Sequence, residues 1–165
     1  MKILICALHG YPSIADIYRS GFIHQRVIGY QKAGHECVVF SNKHEEKEYE
    51  YGGVKVYQRL IKGLSEIYNI VQPDILFVHF INPQYIQWME ENNITTPQVL
   101  WVHGFEALSW RRRLFNFSFS KFFIKFIFYN TRNRWIWRNS LKSRGALWKN
   151  VSFVFISEWM KKVAE

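Results

Sequence analysis

"VQPDILFVHFINP", residues 71–83, carries the decision about the fold. Ile75, Leu76, Phe77 and Val78 are apolar at consecutive positions, so both faces of the segment they form must be kept from water. The run is short and bounded by prolines, which reads as a strand, residues 74–80, inside a sheet covered by helices on both sides. Pro73 closes the helical stretch "LIKGLSEIYNIVQ" (60–72), and Pro83 stands in the first turn of "NPQYIQWMEENN" (82–93), where a missing N–H costs nothing. Helix, strand and helix in that order are the unit of a parallel sheet.

Working outward, runs of the same kind occur at "KILICAL" (2–8), "ECVVFS" (36–41), "VKVYQR" (54–59), "QVLWVH" (98–103) and "VSFVFIS" (151–157). A helix over 21–32, with Ser20 as N-cap and "AGH" as its stop, joins the first two. "NKHEEKEYEYGG" (42–53) reads as a solvated charged loop running into a Gly-Gly turn. The expectation is an α/β fold: one Rossmann-like parallel sheet of about six strands flanked by helices, with a helical insert before the last strand. That insert, about 108–149, is longer than any connection an α/β unit needs, and its phenylalanines recur at helical spacing. Two helices are expected in it, near 112–129 and 132–144.

The length of 165 residues matches one domain, and 48% hydrophobic content is enough for a core. Cys6 and Cys37 both fall in strand-like runs and suggest neither a disulfide scaffold nor a thiolate metal site, which points to a reducing, cytoplasmic setting. The opening "MKILICALHGYPS" resembles a secretory leader, but its apolar stretch ends at His9-Gly10 without a small-residue cleavage site and reads as a first strand. No apolar stretch reaches the roughly 18 residues a membrane span needs.

In an open parallel sheet, ligands bind beyond the carboxyl ends of the strands, where the strand order reverses. His9-Gly10, His79, His103-Gly104 and Ser157-Glu158 each follow a predicted strand, so they are expected along one edge. An imidazole there can bond a sugar hydroxyl or a phosphate, glycine lets a ligand approach the backbone, and Glu106 adds a carboxylate. The plain alternative is that each histidine satisfies a local carbonyl. Three imidazoles could also hold zinc, although no pair has the close spacing of such sites. The first loop lacks G-x-G-x-x-G, which disfavours a dinucleotide cofactor. His24, His35 and His44 are expected to be solvated.

"MKILICALHGYP", "QKAGHECVVFS", "VQPDILFVHF", "VLWVHGFE" and "VSFVFISEWMKK" together resemble, in order and spacing, the N-terminal, acceptor-side half of GT-B glycosyltransferases of the family-4 type. The resemblance spans the chain except about 108–149, and the glycine pair common in the first loop is missing from its usual form. It implies retaining transfer of a sugar from a nucleotide-sugar donor to a saccharide or lipid-linked acceptor, without a further cofactor, in the synthesis of a surface polysaccharide or glycolipid. It also implies that His103 faces the donor sugar as the catalytic-site residue, with His9, Gly10, His79, Gly104 and Glu106 lining the cleft. A C-terminal domain carrying an E-x7-E motif, which these residues do not include, is then the expected partner, and the isolated segment is expected to be inactive.

The net charge of +9 is concentrated. Between Glu106 and Glu158 there are eleven Lys and Arg and no acid, interleaved with twelve aromatic rings from Trp110 to Trp148. Arg111, Arg112, Arg113, Lys121 and Lys125 are candidates for a surface that meets an anionic membrane at the acceptor. Two alternatives stand beside this: plain packing of the rings with solvated cations, and a non-enzymatic basic module that binds anionic lipid or single-stranded nucleic acid.

Overall fold

The computed structural model describes residues 1–104, 109–111, 120–143 and 146–164. Seven strands form one sheet: β1 (Lys2–Ala7), β2 (Glu36–Asn42), β3 (Lys47–Tyr51), β4 (Val54–Arg59), β5 (Ile75–His79), β6 (Gln98–Val102) and β7 (Val151–Phe155). Their order is β3-β4-β2-β1-β5-β6-β7. Every neighbouring pair is parallel except β3 with β4. This is a Rossmann-like α/β arrangement, and the six strands read from the sequence all point the same way.

The helices are α1 (Gly21–Lys32), α2 (Leu64–Val71), α3 (Pro83–Glu91), α4 (Lys121–Ser143) and α5 (Glu158–Ala164). α1 lays Ile23 and Val27 on one face of the sheet, against Ile3, Ile5, Val39 and Val56. α2 and α3 cover the other face, where Leu64, Ile67, Tyr85 and Met89 pack on Leu4, Cys6, Leu76, Val78 and Leu100. Alternate residues of β1 and β5 thus enter two different cores, which is why their sequences show no polar alternation. Each fully buried aliphatic side chain contributes about 1.5–3 kcal/mol.

Four expectations need correction. Residues 47–51 are not a solvated loop: "KEYEY" forms β3, an antiparallel edge strand paired to β4 from Lys47↔Gln58 to Tyr51↔Val54. Its tyrosines turn to the α1-side core while Glu48 and Glu50 stay in water, so alternation within a charged run was the signal. Ser20 does not cap α1 with its side chain; it sits in the left-handed region at φ 52. His24 is not solvated, because its Nδ1 lies 2.7 Å from the hydroxyl of the fully buried Tyr11. In the insert, α4 runs unbroken across the expected break at 130–131. Asn130 is buried there, and its Oδ1 accepts from the Trp110 amide at 2.8 Å, which ties the preceding segment to the middle of the helix. Residues 112–119, the rest of the first expected helix, lie outside the described residues.

α3 begins as the sequence implies. Asn82 is extended and its Oδ1 accepts from the Tyr85 amide at 2.9 Å, with Pro83 following. Cys6 and Cys37 are both buried and unpaired.

Candidate functional site

Strand order reverses between β1 and β5: the chain leaves β1 toward β2 on one side and β5 toward β6 on the other. The crevice at that reversal is lined by rings. His9, just past β1, stacks on Phe80 at 4.6 Å between centroids and 13° between planes. Phe80, just past β5, stacks on His103, just past β6, at 4.3 Å and 28°. Three successive strand ends therefore deliver one continuous stack. Phe22, from the first turn of α1, presents its ring edgewise to Phe80 at 6.0 Å and lies 5.1 Å from His103, with 44% of its surface exposed.

Below the stack the contacts become polar. His79 Nδ1 lies 3.0 Å from His103 Nε2. His79 is fully buried, and its ring lies parallel to Trp101, its register partner on β6, at 5.5 Å. The guanidinium of Arg26, one turn after Phe22 on α1, covers the Trp101 ring at 3.8 Å.

These surroundings fix the charge state. Burial first, then the neighbouring His103 and Arg26, drive the His79 pKa from 6.5 down to about 3. Burial, Arg26 and His9 take His103 down to about 4. His9 is lowered too, by burial and by Arg19. All three go down, and the histidines are neutral at pH 7. Across the His79 Nδ1–His103 Nε2 contact one ring donates and the other accepts, as two neutral imidazoles allow.

The glycines play unequal parts. Gly10 is buried at φ +96, and a Cβ there would lie 2.8 Å from Arg19 Nε and 3.0 Å from Lys43 Cε. Arg19 Nε donates to the His9 carbonyl at 2.8 Å, so the room beside Gly10 is filled by two cationic side chains. Gly104 is also buried, at φ 109, a backbone conformation that favours glycine.

The structure brings together His9, Gly10, His79 and His103 of the expected site, with Gly104 adjoining; Glu106, Arg112 and Arg113 lie outside the described residues. Arg111 is exposed beside Trp110, and Lys121 and Lys125 are exposed on α4. Among the described residues no group of three His, Cys, Asp or Glu could hold a metal ion. His79 and His103 point ring nitrogens at each other rather than at a common centre.

Sequence reading missed Phe80, Phe22, Arg26 and Trp101. Trp101 could have been found, since it lies two residues before His103 and so on the same side of β6, facing His79 across the register. Phe80 bears the stack while holding φ 62, a left-handed conformation rare for an aromatic residue, and no local pattern announces it.

No protein-family model matches this chain, and no curated protein matches it.

Proposed function

We propose that this domain is the acceptor-side half of a retaining glycosyltransferase, and that the switch-point crevice holds the sugar under transfer. The observation that supports the reading best is the His9–Phe80–His103 stack at the reversal of a parallel sheet. The half-exposed ring of Phe22, held against that stack, gives the C–H face of a pyranose an apolar plate. Neutral imidazoles beside it bond hydroxyls without introducing a charge.

In this reading His103 contacts the donor sugar as a hydrogen-bonding group. A pKa near 4 makes it a poor proton carrier at pH 7, so its role is orientation and dipolar stabilisation of the transition state. His79 positions it through the Nδ1–Nε2 bond. Arg19 and Lys43, flanking Gly10, supply positive charge for a diphosphate.

The test has two parts. Nucleoside-diphosphate sugars are titrated into the protein while the imidazole C2–H signals of His9 and His103 are followed by NMR. At least one donor class shifts both signals. In the protein as the cell makes it, His103→Ala lowers sugar transfer on the order of 100-fold, the loss typical of one transition-state donor. Signals indifferent to every nucleotide sugar and every saccharide, or transfer unchanged by His103→Ala, overturn the reading.

A further inference from the structure

The observation that goes furthest beyond this crevice is the outward face of α4. Phe122 is 85% exposed, Phe128 74%, Trp135 67% and Ile124 60%, an unusual display on one helix. The display is ordered. Ile124, Phe128 and Trp135 form a row at helical spacing, and Lys121, Lys125 and Arg132 form a second row with the same spacing, each three residues earlier. The two rows run side by side, with Phe122 and Tyr129 flanking the cations beyond. The opposite side is held to the protein by the buried Asn130 and by packing against α3.

We propose that this face docks on an anionic lipid bilayer, with α4 lying in the headgroup plane. Rings and Ile124 would enter the acyl boundary, while the cationic row stays level with lipid phosphates. Charge complementarity selects this occupant, since no acidic residue occurs between Glu106 and Glu158. A second copy would press one cationic row against another, and a nucleic acid would leave the row containing Ile124 without an apolar partner. The helix lies on the membrane rather than crossing it: no described helix is long and apolar enough to span one. At 23 residues it extends about 35 Å along the surface. The proposal does not depend on glycosyl transfer, and its test measures no activity.

The protein is sedimented with phosphatidylcholine vesicles with and without phosphatidylglycerol, at moderate salt. The anionic lipid raises the bound fraction at least about tenfold, and added salt reverses part of the gain. Replacing Lys121, Lys125 and Arg132 by Gln removes the dependence on phosphatidylglycerol. Replacing Ile124, Phe128 and Trp135 by Ser abolishes binding to both vesicle types, with unchanged circular dichroism because these side chains are exposed. Brominated acyl chains quench tryptophan emission, and Trp135→Phe removes most of that quenching. Failure to bind anionic vesicles, or binding unaffected by either triple variant, overturns the proposal. So does a dimer in solution that the apolar variant dissolves, or single-stranded RNA held more tightly than vesicles.

Discussion

His79 shows how a buried imidazole links the crevice to stability. An unfolded histidine titrates near 6.5, whereas His79 in the fold is held at about 3, so the unfolded state binds the proton first as pH falls. Its contribution is therefore complete above pH 6.5 and is lost as pH drops from there toward 3. Between pH 7.5 and 5 the loss is about 2 kcal/mol for this one group. Urea midpoints across that range will decline in the wild-type protein, and His79→Gln will flatten part of the slope whatever it does to absolute stability. A slope unchanged in His79→Gln would mean that His79 binds its proton equally in the folded and unfolded states. Gly10 is the second residue at which a single atom decides. An added Cβ meets Arg19 and Lys43 in a backbone conformation that L side chains avoid, so Gly10→Ala should cost roughly 1–3 kcal/mol. A urea midpoint equal to wild type would show that the loop relaxes freely. The histidines were legible because each follows an apolar run; of their partners only Trp101, two residues before His103, was within reach, because stacking joins strand ends that topology alone brings together.

Among the elements, the two ends of the crevice differ in what starts their helices. Asn82 caps α3 through its side chain, and Asn82→Ala should lower stability by about 1 kcal/mol in a chemical melt. Gly29 sits inside α1, exposed, and a methyl group there would meet nothing within 4 Å. Gly29→Ala should therefore raise stability by about 0.5–1 kcal/mol, through the freedom it removes from the unfolded chain. A destabilised Gly29→Ala would mean that α1 needs a local distortion at this position. The same comparison explains which elements could be read in advance. β1, β2, β4 and β5 are apolar on consecutive positions because two cores claim them, while the core residues of β6 and β7 all belong to the face covered by α2 and α3. β3 escaped because its water-facing residues are charged and only its tyrosines face inward, a half-buried pattern hidden in a run of Glu and Lys. α4 was split in expectation at 130–131, whereas burial of Asn130 against the Trp110 amide gives that polar group a reason to stay in the helix.

Over the whole molecule, the parallel sheet dictates where stability is concentrated. β1 lies between β2 and β5, and Leu4, Ile5, Cys6 and Ala7 are completely buried, shared between cores on both faces. β3 closes one edge with alternating half-buried and exposed residues, and β7 closes the other with none of its residues fully buried. Parallel order also means that no hairpin short of β3–β4 can form by itself, so the centre must assemble from segments distant in sequence. Hydrogen exchange should therefore be graded across the sheet. Amides of β1 and β5 should exchange only when the whole domain unfolds, while those of β3 open locally and exchange on the order of 100-fold faster. Mild denaturant should accelerate β1 and β5 steeply and leave β3 nearly unchanged, because local opening exposes little surface. Equal protection and equal denaturant dependence in β1 and β3 would show instead that the charged edge strand is bound into the same cooperative unit as the crevice, so that no part of the sheet could yield without releasing the His9–Phe80–His103 stack.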